Sequence, residues 1–196
     1  MNVLKNKYNL THARKKIKEC KDNQYPDLDI SSCGITDLNE LPELFECNHL
    51  EILDLSDNEI SDIGFLGKLT GLQDLDLSNN QITYIGFVEK LTKLQVLNLS
   101  YNPIMDFSFL EKLTELDTLD LNGNQINNFG FLENLTGLQE LYLDKEYDIR
   151  FIAELCGLEN LAEYPILPGE SVLDEMLGLD DLEIISNDSD DDDDSL

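Results

Sequence analysis

Tryptophan is absent from this 196-residue chain, and histidine is limited to His12 and His49. Basic residues are scarce, with 13 Lys and Arg against 41 Asp and Glu and a formal net charge of −28. That imbalance argues against nucleic acid or an anionic membrane as a direct partner, and for a basic protein. None of the four cysteines (Cys20, Cys33, Cys47, Cys156) forms a C-x-x-C pair or sits at metal-ligand spacing from a histidine, so they are expected to be reduced thiols. No stretch approaches 18 uncharged apolar residues, and MNVLKNKYNLTHARKKIKEC has no continuous apolar core, so neither a membrane span nor a secretory signal is expected. A cytoplasmic protein is expected, or a nuclear one in a eukaryotic host. The phosphate-binding G-x-x-x-x-G-K-[ST] and the nucleophile elbow G-x-S-x-G are both missing. The run DLSDNE from Asp54 lacks the sixth-position glycine and closing glutamate of a calcium loop. A non-enzyme with no cofactor and no metal is therefore expected.

What is present is repetition. LEILDLSDNEISDIGFLGKLTG from Leu50 is followed without a gap by LQDLDLSNNQITYIGFVEKLTK, LQVLNLSYNPIMDFSFLEKLTE and LDTLDLNGNQINNFGFLENLTG, four copies over residues 50–137. A fixed period of this size marks a solenoid. Within L-x-L the two leucines share one face of a strand and the residue between them takes the other. Leu53/Leu55, Leu75/Leu77, Leu97/Leu99 and Leu119/Leu121 are thus expected inside a stack of parallel strands. Asn58, Asn80, Asn102 and Asn124 follow the strands, where the chain turns and its backbone needs both a donor and an acceptor. A carboxamide supplies both. Ile60, Ile82, Ile104 and Ile126 recur in register, as do Phe65, Phe87, Phe109 and Phe131, which are expected to stack as an aromatic spine in the core.

The pattern L-x-x-L-x-L-x-x-N-x-I resembles the leucine-rich repeat, in the 22-residue class found in bacterial internalins and in a regulatory subunit of protein phosphatase 1. The resemblance covers about residues 28–161. It implies an α/β solenoid with parallel strands on the concave face, short 3-10 or irregular segments on the convex side, and use as a binding scaffold. Irregular copies flank the clean ones: Cys33 stands in a ladder position before them and Glu146 after, giving six to seven repeats over 25–164. Residues 1–24 are expected to be a basic capping helix, N-capped by Thr11, with Ala13, Ile17 and Cys20 on its buried face. The order of helix and array also resembles the opening of arrays fused to Roco-type GTPases, although no GTPase follows.

In this fold, the residues between and beside the strand leucines form the concave surface. The central file reads Asp29, Asp54, Asp76, Asn98, Asp120, Tyr142, and the file before it Asp27, Ile52, Asp74, Val96, Thr118, Glu140. Two further files contribute Asp57, Tyr101, Asp144 and one base, Lys145. Strands about 4.8 Å apart place neighbouring aspartates where they repel by about 0.9 kcal/mol per pair in water. A Lys- or Arg-bearing partner relieves that repulsion. The expected contact residues are Asp29, Asp54, Asp74, Asp76, Val96, Asn98, Tyr101, Asp120, Glu140 and Tyr142, with exposed, uniformly ionised aspartates and a hot spot at Val96, Asn98 and Tyr101.

Periodicity fails from Pro165. Residues 165–185 are expected to form a C-terminal cap, with a short helix started by Ser171, and residues 186–196, SNDSDDDDDSL, a disordered acidic tail. That tail can solubilise the chain, bind basic proteins or fold back on the Lys-rich helix. A small array followed by acid resembles the acidic leucine-rich nuclear phosphoproteins, and Leu182–Ile185 before acidic residues resembles a SUMO-interacting motif. Two functions remain open: a monomeric, non-catalytic interaction scaffold, or a tail-dependent chaperone or decoy for basic nucleic-acid-binding proteins. A third reading is a structural subunit that uses its convex side.

Overall fold

The computed structural model describes residues 2–144, 147 and 152, with side chains from residue 10 onward. Helix α1 (Asn2–Asn23) precedes six three-residue strands: β1 (Asp27–Asp29), β2 (Ile52–Asp54), β3 (Asp74–Asp76), β4 (Val96–Asn98), β5 (Thr118–Asp120) and β6 (Glu140–Tyr142). They form one parallel sheet in sequence order. The register Leu28, Leu53, Leu75, Leu97, Leu119, Leu141 is unbroken, so a first step of 25 residues and four steps of 22 each return the chain to the same height on its neighbour. Each strand buries its middle leucine and turns the residues on either side outward, the period-two behaviour of an extended chain. The result is an open solenoid with a capping helix at its first rung.

The return path of each repeat is a short 3-10 helix: Gly64–Lys68, Gly86–Lys90, Ser108–Lys112 and Gly130–Asn134, with Leu38–Glu40 and Pro42–Glu46 in the irregular first repeat. Tight pieces of this length fit the rise of one rung where a full α-helix would not. Leu66, Val88, Leu110 and Leu132 project from them into the core, and Leu69, Leu91, Leu113 and Leu135 close them.

The Asn ladder joins successive rungs. Asn80 Nδ2 donates to the carbonyls of Leu55, Leu77 and Ser78 at 3.0–3.1 Å, and its Oδ1 accepts from Ile60 N at 3.0 Å. Asn102 and Asn124 repeat this set on the next two rungs. Asn58 does the same across the first irregular repeat, accepting from Cys33 N and Ile35 N. The residue before each ladder position lies in the left-handed region: Ser32, Asp57, Asn79, Tyr101 and Gly123, with φ between 50° and 68°. That conformation turns the chain off the strand and into the ladder.

Two local expectations differ from the structure. Helix α1 starts at Asn2, leaving Thr11 mid-helix, because Val3–Leu10 contain no proline or glycine to stop it. It ends with Gln24 at φ 57° and a bond from Tyr25 N to the Cys20 carbonyl, a left-handed stop just before Pro26. The phenylalanine file is not a continuous spine. Phe65 is 37% exposed and Phe87 half-buried, while Phe109 and Phe131 are buried. Phe65 pairs with Phe45 across the irregular second turn, and Phe131 with Phe107 rather than Phe109. Core space on this side is claimed first by the aliphatic ladder, and the rings settle in the gaps at either end.

Candidate functional site

The functional surface starts with the short-range chemistry of the strand ends. Each Asp or Asn of the central file folds its side-chain oxygen back on the residue two further along. Asp54 Oδ1 accepts from Ser56 N and Ser56 Oγ at 2.8 and 2.6 Å, and Asp76 Oδ1 from Ser78 N at 2.8 Å. Asp29, Asn98 and Asp120 make the same turn onto Ser31, Ser100 and Asn122. One carboxylate oxygen of each of these aspartates is thus committed to its own turn, and the second oxygens of Asp29 and Asp76 take Lys16 and Asn98. The sequence pattern D-x-S or D-x-N held this signal, and reading the file only as a charge strip missed it.

Asn98 has a second task. Its Nδ2 donates to Asp76 Oδ2 at 3.0 Å, across the β3–β4 step. The one amide in the middle of the acidic file therefore converts a repulsive neighbour pair into a bonded one.

The aspartates are not alike in exposure, contrary to the expectation of a uniformly exposed strip: Asp29 is exposed, and Asp54, Asp74, Asp76 and Asp120 are half-buried. Burial pushes Asp74 above the usual carboxylate range, helped by the charges of Asp76 and Asp54. Burial also raises Asp120, opposed by its hydrogen bonds from Asn122. Asp29 is held below the usual range by its bonds from Ser31, and Lys16 adds to this. Lys16 Nζ reaches Asp29 Oδ2 at 3.1 Å and the Asp29 carbonyl at 2.7 Å, so helix α1 occupies this end of the file. Arg14 donates to the Glu40 carbonyl at 2.7 Å and Lys21 pairs with Glu46, which ties the basic helix to the array.

At the other end, Tyr142 donates its hydroxyl to Glu140 at 3.0 Å, and Thr118 does so at 3.4 Å. The Glu140 bond raises the Tyr142 phenol. Val96 and Asn98 are half-buried on the same strand, and Tyr101 follows three residues later, 61% exposed. Tyr101 holds its left-handed backbone at φ 54°, a conformation that costs a bulky residue on the order of 1 kcal/mol. Its ring lies against Gly123, where a Cβ would stand 2.6 Å from Tyr101 Cδ1. Gly123 is the rung above, and its lack of a side chain is what makes room for the tyrosine. Ile52, 45% exposed on β2, is a second apolar point. The structure thus places Asp54, Asp74, Asp76, Val96, Asn98, Asp120, Glu140 and Tyr142 on one sheet face and Tyr101 at its lower corner, with Asp29 engaged by the cap. Lys145, Glu146 and Cys156, the cap at 165–185 and the tail at 186–196 lie outside the described residues.

The described cysteines, Cys20, Cys33 and Cys47, are free and buried. Burial pushes the Cys20 thiol up to about 11, away from nucleophilic use. Among the described residues no cluster of acidic, histidine or cysteine side chains is arranged to hold a metal, and no helix is long and apolar enough to cross a membrane.

Comparison with known proteins places this geometry. The family described as leucine-rich repeats in two copies matches residues 48–90 and 70–112. No curated protein matches by sequence. Among solved structures, the chain is similar to an internalin, InlF, of Listeria monocytogenes (30% identity, TM-score 0.57, 70% of this chain and 40% of the internalin). It is also similar to internalin C2 of the same organism (28% identity, TM-score 0.56, 76% and 80%) and to a leucine-rich-repeat protein of Leptospira interrogans (28% identity, TM-score 0.55, 64% and 33%). The chain therefore spans less than half the length of the first of these and most of the second.

Proposed function

Since the chain is a leucine-rich-repeat protein resembling the internalins, we propose that it is a non-catalytic interaction scaffold whose acidic concave face binds a partner protein through a basic surface. The observation that carries the reading is Tyr101. A strained, 61% exposed aromatic backed by a glycine on the next rung is poor economy for folding and well suited to contact. Around it, the carboxylates of Asp54, Asp74 and Asp120 offer acceptors to lysine or arginine, beside Asp76, whose two oxygens already accept from Ser78 and Asn98. An incoming cation would also lower the raised Asp74 and Asp120 groups, so binding should weaken in acid.

The test is capture of partners by the intact chain, by residues 1–185 and by a Val96→Ser/Asn98→Ala/Tyr101→Ser variant, at low and at roughly 0.5 M salt. A discrete partner kept by the truncation and lost by the triple variant supports the concave face. Broad capture of basic proteins that disappears with the tail or with salt replaces it with a polyanion that sequesters such proteins.

A further inference from the structure

A second surface lies on the flank where the chain leaves the Asn ladder, and its evidence is a broken rule. Four residues after the ladder position, an acidic or amide side chain accepts from a backbone N–H in the first turn of the coming 3-10 helix. Asp62 Oδ1 accepts from Gly64 N at 3.0 Å, Asp106 Oδ1 from Ser108 N at 3.0 Å, and Asn128 Oδ1 from Gly130 N at 2.8 Å. In the irregular first repeat Asp37 does the same for Asn39 N at 2.8 Å. The remaining repeat has Tyr84 there, which has no carboxylate or amide to offer Gly86. At 71% exposure it is the most exposed large apolar residue described, with its ring folded over the α-carbon of Gly86.

One rung further and one position earlier stands Met105, 57% exposed, where the other regular repeats carry Ser61, Thr83 and Asn127. Met105 also lines a groove of about 330 Å³, together with Phe107, Phe131, Asp106 and Glu111. Two positions on adjacent rungs that are polar in the other repeats thus carry large exposed side chains, and Met105 stands at the groove. From the ladder to the ends of the 3-10 helices, Glu59, Asp62, Glu89, Asp106, Glu111 and Glu133, all exposed, outnumber Lys68, Lys90 and Lys112, and the groove itself is lined by Asp106 and Glu111 with no lysine or arginine.

We propose that this flank, centred on Tyr84 and Met105, is a second docking surface, occupied by a segment of another protein that pairs an apolar side chain with lysine or arginine. The apolar side chain covers Met105 and enters the groove, Tyr84 packs beside it, and the basic residue meets the acidic field. A second copy of this chain is the poorer occupant, because it brings 41 acidic residues against 13 basic ones to an acidic flank. The surface is separate from the concave face, and the two stand or fall independently.

The experiment selects dodecapeptides from a random display library on the full chain, with counter-selection on a Tyr84→Asp/Met105→Asn double variant. Binding of the recovered peptides is then read by fluorescence anisotropy. The expected peptides combine apolar and basic residues, bind the double variant at least about tenfold more weakly, and bind Tyr101→Ser like the wild type. Tyr84→Asp alone should supply the missing bond to Gly86 N and raise the melting temperature by about 2–4 °C, so the loss of binding cannot be a loss of fold. The proposal is overturned if no peptide distinguishes the double variant, or if those that do lack basic residues. It also fails if Tyr101→Ser loses them equally, if Tyr84→Asp melts earlier than wild type, or if the full chain self-associates through this flank.

Discussion

Two polar files run along the same sheet, a few residues apart in every repeat. The ladder file is Asn58, Asn80, Asn102, Asn124, without variation across the four regular copies, and each residue is at least 93% buried. The central file is Asp29, Asp54, Asp76, Asn98, Asp120, Tyr142, and it varies where the other does not. Both files hydrogen-bond to backbone, but the ladder amides bridge rungs while the central carboxylates mostly serve their own turn. A group that must at once donate to and accept from the preceding rung is served by a short carboxamide. A group that only accepts within its own turn can be Asp or Asn. Invariance here reports a two-sided bonding demand, and variation reports where that demand is one-sided.

Breaking the ladder should have the largest effect. Asn102→Ala leaves the carbonyls of Leu77, Leu99 and Ser100 and the amide of Ile82 without their partner, and should cost about 3 kcal/mol in denaturant unfolding. Asn98→Asp sharpens the contrast from the other side. It removes the donor to Asp76 and restores an unbroken run of charge from Asp54 to Asp120, at a cost of about 1 kcal/mol at neutral pH that shrinks on acidification or added salt. Tyr101→Gly should stabilise the chain by about 0.5–1 kcal/mol, because glycine takes φ 54° without strain, and should weaken partner capture at the same time. A loss of stability there would make the tyrosine a structural residue.

The smallest effect is a pH dependence. Asp74 has a raised value when folded, so the fold binds its proton more tightly than the unfolded chain does. That contribution is complete below the ordinary carboxylate range and is lost as pH rises through the folded value. Asp74→Asn should therefore stabilise by a few tenths of a kcal/mol at pH 7 and by nothing at about pH 3. Asp29 and Asp106 have lowered values, so their contribution is present above the ordinary carboxylate range and is lost as pH falls through the folded values.

The strands, the ladder bonds and the buried leucines were legible because each rests on a period that no tertiary accident disturbs. Ala13, Ile17 and Cys20 on the cap helix were legible for the same reason, through helical spacing. The aromatic file misled because equal spacing in sequence does not guarantee equal depth: Phe45 draws Phe65 outward, with Lys68 Nζ 5.3 Å from its ring centre. The start of α1 was misplaced because a good capping residue is no signal when nothing before it breaks the helix. The roles of Asp62, Asp106 and Asn128 stood in the sequence as a fourth column. It went unread because a scattered Asp or Asn on the outside of a repeat looks like solubility until Tyr84 shows what its absence means.

The contact between Tyr101 and Gly123 has a consequence for descent. An array grows by copying whole rungs, yet this corner is shared by two of them, since the ring belongs to one and its seat to the next. A copied rung carries its tyrosine but not the glycine that accommodates it. The glycine must therefore have arrived first, harmlessly, or together with the ring. Any later insertion between the two rungs would erase the corner while leaving every leucine in place, so this contact can be lost without any trace in the repeat pattern.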